Sequence, residues 1–400
     1  MSKFWKKIDR VPVFVVGFCL VLFFSGFFIY FHQDDFIHFS YSQTPQQVLE
    51  SFNIFGKGAF PFYRPIPTQV YFYINRIIFG LNPLGYHAVN FVLFAVNIFL
   101  LYRFVALITK NKRIAELSCV FFGINSTHFA PFFSPAYSHE LFYVFFGLLT
   151  VSFFYKKKLV KSIIFYIFAL MSKETAVVLP AIVFLVLLYR EKRLDFRMTI
   201  KILAPYVIVS IIYLFGHFFF YGVASGPSYK LIMGKPSLAI LGWYFLWALS
   251  TPNILVDFLG SGFRLNPVFW QVAKDHAVIY FVFFPFFMFN TVLAFILFIK
   301  KYALILFGFA WFIIGLIPLI IFPLHKLATE QAFSLIGLSL ALGTILSTQH
   351  RSRFRQLLIY TALIAYLFVA VNSIELAKKT HWIVRSAYQA KHVIEYIKKE

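Results

Sequence analysis

The chain has 400 residues, of which 60% are hydrophobic, 22% aromatic and only 13% charged. Apolar runs recur from end to end, which excludes a soluble globular domain and identifies an all-α polytopic membrane protein. The net charge of +22 does not point to nucleic acid, because the basic residues cluster in short loops between apolar runs, as topology signals do. Contact with the anionic headgroups of membrane lipids is a further use of that charge.

The first apolar run covers 11–31, about 20 residues, long enough to cross roughly 30 Å of hydrocarbon as a helix. It exceeds an ordinary signal-peptide core, and no small-residue cleavage site follows it. Lys3, Lys6, Lys7 and Arg10 precede it, so the N-terminus is expected in the cytoplasm. Asp34 and Asp35 then stand just outside the opposite membrane surface. Two adjacent carboxylates there are either a solvated helix-end pair or the seat of chemistry: one holding a proton, or both sharing a divalent cation.

Residues 32–85 form a long first external loop. From Ile66, the residues Val70, Tyr73, Ile74 and Ile77 follow helical spacing, with Gln69, Asn75 and Arg76 on another face. Fifteen residues rise only about 22 Å, so this helix is expected along the interface rather than across it. Gly80 and Asn82-Pro83 end it with turn chemistry.

Further spans are expected near 86–108, 114–133, 137–155, 162–172, 175–189, 202–221, 277–299, 302–323, 331–348 and 357–373. The basic clusters at 110–113, 156–161, 190–201, 300–301 and 351–355 fix their parity. With the first run this makes eleven spans, with residues 374–400 left as a short external basic tail. Residues 162–189 are read as a hairpin because one interrupted helix would put two basic clusters on opposite sides. Its turn at Ser172-Lys173-Glu174 is then recessed, where irregular backbone needs protein or a water-filled cavity around it. Within the external segment 222–276, Pro236 to Val256 is apolar enough to span but would invert the later clusters. It is therefore read as re-entrant or interfacial. Cys19 and Cys119 both sit in apolar segments, which argues against a disulfide framework or thiol metal site.

Gln33-Asp34-Asp35, Phe62-Tyr63-Arg64-Pro65-Ile66, Phe79 to His87 with Asn90, and Ser172 to Pro180 occur in the order seen in one family. On these stretches the chain resembles the GT-C fold glycosyltransferases that use polyprenyl-phosphate-linked sugars, near the O-mannosyltransferase-like proteins. The likeness covers roughly the first 190 residues, with Leu324-His325 and Glu330 matching later. There are departures. Asn125 to Ala130 keeps only His128 of a richer histidine pattern, Gln331 stands where the family often has Arg, and the tetratricopeptide repeats are absent.

The resemblance implies a transmembrane glycosyltransferase domain over 1–373 and sugar transfer from a polyprenyl-phosphate donor at the extracytoplasmic face, most simply of a bacterial inner membrane. Such transfer needs a base for the acceptor's proton and cations for the departing phosphate. Asp34 or Asp35 is the expected base, Asp34 being the better match to the family. Arg64 and Lys173 are expected at the phosphate, although Arg64 also reads as an interfacial anchor and Lys173 as a salt bridge to Glu174 or a snorkelling side chain. His87, Asn90, His128, His139, Glu140, Glu174, His325 and Glu330 are expected on the same face as candidates to line one cavity. Each His taken singly also reads as a structural hydrogen bond. No tight histidine spacing points to a metal, so a divalent cation at Asp34 and Asp35 is the one cofactor expected, if any. The acceptor is open among protein hydroxyls, glycolipids and cell-envelope polymers. The competing class is a transporter or flippase, which also uses broken helices, but no paired interrupted segments recur in two halves.

Overall fold

The computed structural model describes residues 9–56, 62–191, 195–222, 226–260, 264–298, 301–347 and 352–397. Of the topology signals, Lys3, Lys6, Lys7, Lys192, Arg193, Lys300 and Arg351 lie outside these residues. Among the described residues the chain is helical without strands. In order the helices are α1 Arg10–Leu22, α2 Gln33–Ser40, α3 Pro45–Glu50, α4 Tyr71–Phe79, α5 Pro83–Thr109, α6 Lys112–Gly123, α7 Phe129–Phe133, α8 Ser138–Tyr155 and α9 Leu159–Leu170. They continue as α10 Leu179–Arg190, α11 Phe196–Gly216, α12 Lys235–Ala248, α13 Leu255–Phe258, α14 Val268–Phe298, α15 Tyr302–Ile320, α16 Ala332–Leu346, α17 Arg353–Thr380 and α18 Trp382–Ile397.

Among the described residues, seven helical stretches are long and apolar enough to cross a membrane. The other expected spans are helical but shorter or broken: α1, α6 with α7, α9, and α10 after a short 3-10 turn over Glu174–Val178. Burial sorts the long helices into centre and rim. The α16 segment is 94% buried, whereas the apolar windows of α11 and α14 are only 22% buried. A helix whose apolar surface stays uncovered that far is suited to lipid contact, as in a multi-pass membrane protein. At the centre, α16 meets α15 at Gly308 and Gly337, where a Cβ on Gly308 would sit 2.6 Å from the Gly337 carbonyl. Small residues thus let the two backbones approach closely.

The helices alternate between two ends of the bundle. Arg190 at the end of α10 donates to the carbonyls of Phe154 and Tyr155 at 3.2 and 3.4 Å. The arms of 159–190 therefore return to one end, as a hairpin requires. Lys110, Lys112 and Lys156–Lys158 share that basic end, where Lys112 also pairs with Asp9 ahead of α1.

The helix breaks gather at the other end: 23–32, 124–137, 171–178 and 321–331. Backbone freed by a break must find new partners in a low-dielectric setting. Side chains supply them. His87 Nε2 meets the Ile29 carbonyl at 3.0 Å, Asn90 Nδ2 donates to Pro131 at 2.8 Å and His128 Nε2 meets Phe122 at 2.8 Å.

The helix expected from the 66–77 spacing is α4, prolonged at its start by a wide turn over Pro65–Val70. It ends at Gly80, whose φ of 60° suits glycine, and Asn82 then caps α5 by accepting from the Leu84 N–H at 3.1 Å. At 14 residues α12 rises about 21 Å, which is short for a crossing. The segment expected as a short basic tail is helical as far as Ile397. There α17 continues to Thr380, and α18 packs Ile383, Val384 and Ala387 against α2 and α7.

Candidate active site

Successive residues on a helix point about 100° apart, and this separates the two aspartates at the start of α2. Asp35 is fully buried. Its Oδ2 accepts from the His32 N–H at 2.9 Å, capping its own helix, while its Oδ1 accepts from the Ala136 N–H at 2.7 Å and the Ser134 hydroxyl at 3.2 Å. It ties α2 to the break before α8. Burial pushes its carboxyl up to about 7, against the pull of those donors. Asp34 instead lines a cavity of about 620 Å³. Burial raises its carboxyl above the ordinary 3.8, opposed by nearby His139.

The recessed turn meets this cavity through two ion pairs. Arg64 grips Glu174 with both tines of its fork, Nε at 2.8 Å and Nη2 at 2.6 Å, and its guanidinium lies 4.5 Å from the centroid of the Phe62 ring. That leaves Nη1 for a further acceptor. Lys173 does not pair with Glu174 or line the cavity. It is fully buried against Glu140, whose same oxygen lies 3.3 Å from His139 Nε2. Lys173 and Glu140 thus stand behind His139, which faces the cavity.

The opposite wall comes from the loop before α12, the α15–α16 connection and α18. His325 Nε2 lies 3.1 Å from Glu330 Oε1, and its ring stacks on Tyr229 with centroids 4.6 Å apart. Burial works against the charge on His325, but Glu330 outweighs it and lifts the imidazole above its ordinary 6.5. Tyr137, Tyr229, Phe62 and Trp382 give the cavity aromatic walls.

Of the residues expected together, Asp34, Arg64, His139, His325 and Glu330 line this one cavity. Asp35, Lys173, Glu140 and Glu174 brace it from behind. His87, Asn90 and His128 do not line it and serve the helix breaks. Sequence reasoning missed His38, Tyr137, Tyr229 and Trp382. Only for Trp382 was there a signal: the apolar spacing of Ile383, Val384 and Ala387, which marks an amphipathic docking helix.

Both oxygens of Asp35 are taken by protein donors, and among the described residues no three His, Cys, Asp or Glu side chains cluster as metal ligands. No protein family, curated protein or solved structure matches the chain.

Proposed function

We propose that this protein is an integral-membrane glycosyltransferase that moves a sugar from a polyprenyl-phosphate donor to an acceptor at the extracytoplasmic face. The observation that carries the reading is one cavity lined by an unclamped carboxylate, an arginine with a free donor and aromatic walls. Among the described residues no hydrogen-bond donor holds Asp34, so its oxygens are available to a substrate. Leu231 and Met233, 64% and 75% exposed, lie just beyond Tyr229 and Lys230 in the chain and offer apolar surface to an isoprenoid chain.

In the reaction, Asp34 takes the proton of an acceptor hydroxyl as its oxygen bonds to the anomeric carbon. The bond from that carbon to the phosphate oxygen breaks, and its electron pair leaves on the polyprenyl phosphate. Arg64 Nη1 and protonated His325 stabilise the charge that develops there. His139, held by Glu140, orients the acceptor side. The positive-inside rule places the basic end in the cytoplasm and the cavity outside it.

The test is release of polyprenyl phosphate from a labelled lipid-linked sugar by purified protein in nanodiscs. Asp34→Asn should slow release about a hundredfold. Equal release by the variant removes the base. Translocation of intact lipid-linked sugar without release would establish a flippase instead.

A further inference from the structure

A second cavity, about 240 Å³, adjoins the first, and Leu327 and Trp382 line both. Its chemistry differs. Its mouth carries the exposed cations Lys326 and Arg385 together with the exposed carboxylate of Asp257, which lies close enough to Lys326 to feel its charge, and His381 stands beside them. Arg385 spends Nη2 on the Thr380 carbonyl, which leaves the rest of its fork open. Deeper, Trp247 is 1% exposed with an indole N–H that has no partner, and Asn253 has a buried Oδ1 that likewise has none among the described residues. An unmet donor and an unmet acceptor beside a cavity are costly unless water or a ligand meets them. Hydroxyl groups, which donate and accept, suit both. Trp382, 41% exposed on the sill between the cavities, offers an apolar face to a sugar ring.

We propose that the smaller cavity is the acceptor subsite and takes an anionic saccharide, a phosphate-bearing sugar. Its charged group sits between Lys326 and Arg385, its hydroxyls meet Trp247 and Asn253, and its ring lies on Trp382. One hydroxyl then reaches across the sill to Asp34. The role as acceptor rests on the transfer reaction proposed above, while the ligand chemistry rests on this cavity alone.

The test measures binding to the full chain in phosphatidylcholine nanodiscs by calorimetry. The probes are the 6-phosphates of glucose, galactose and mannose, their neutral methyl glycosides, and inorganic phosphate. At least one hexose phosphate should bind about tenfold or more tightly than both its methyl glycoside and inorganic phosphate. The Lys326→Ala/Arg385→Ala double variant should lose about tenfold in that affinity while binding polyprenyl phosphate as the wild type does. Trp382→Ala should weaken the hexose phosphate but not inorganic phosphate.

Equal binding of the neutral glycoside, or an unaffected double variant, overturns the proposal. Inorganic phosphate binding as tightly as the sugar phosphate overturns the saccharide part. Displacement of the sugar phosphate when phosphatidylglycerol is added to the disc assigns the site to a lipid headgroup and overturns it too. Failure of wild-type protein to bind polyprenyl phosphate removes the transfer reaction alone and leaves the hexose phosphate result to decide what this cavity holds.

Discussion

Asp34 and Asp35 are neighbours in sequence with separate tasks. Removing the Asp34 charge should abolish proton transfer and little else, so Asp34→Asn is expected to lose about a hundredfold in turnover at unchanged thermal stability. Asp35→Asn turns an amide N–H toward the donors that hold the carboxylate. It should cost about 1–3 kcal/mol of stability, read as a lower melting temperature in detergent. Activity per folded molecule should fall less than for Asp34→Asn, and the reverse ranking would exchange their roles. The pH profile adds a check. Asp34 works ionised, and burial raises it above 3.8, so turnover should fall on acidification at a higher pH than an ordinary aspartate would give. His325 works protonated and is raised above 6.5. Its pairing contributes stability fully below 6.5, and this is lost as pH rises through the higher folded value. An alkaline limb that moves down in Glu330→Gln would identify it.

The turn between α9 and α10 shows how much of an element was legible. Its recession, polarity and place at the cavity end follow from the short arms and the basic clusters, all local or compositional signals. The partners do not. Lys173 pairs with Glu140, 33 positions away, and Glu174 with Arg64, 110 away; adjacency in sequence suggested a Lys173–Glu174 pair that the fold does not make. The docking of α18 escaped for a similar reason, since a basic, half-apolar segment after the last span reads as tail until its apolar face has somewhere to go. His87, Asn90 and His128 were legible as polar groups at the right end. That they answer to broken backbone required the breaks themselves to be seen. The corrected pairing changes the prediction. Lys173→Ala strands Glu140, and Glu140→Gln strands Lys173, so each should cost about 3–5 kcal/mol. Lys173→Met combined with Glu140→Leu should restore much of that stability, while Glu174→Gln should leave Lys173 untouched and act through Arg64. Melting temperatures of the four variants in detergent decide it, and a stable Lys173→Ala protein would show the pair to be unimportant.

Across the whole molecule, the helix breaks and the cavity lie at one end and the basic loops of Lys110, Lys112 and Lys156–Lys158 at the other, which links topology to function. If the basic end is cytoplasmic, every break that feeds the cavity opens outward, and α18 lies outside with it. Cys19 and Cys119 are both buried, so the native thiols should give little background to a membrane-impermeant maleimide. Lys157→Cys, at the basic end, should stay unlabelled in intact cells and react after permeabilisation. Tyr388→Cys, at a position 56% exposed on α18, should react without permeabilisation. Because α17 joins the two ends in a single helix, the two labels must fall on opposite sides whichever way the protein is inserted. Labelling of Lys157→Cys from outside with Tyr388→Cys protected would therefore preserve the fold and turn the cavity toward the cytoplasm, which would remove an extracytoplasmic lipid-linked donor from the reaction. Labelling of both from one side would instead break the alternation of the helices.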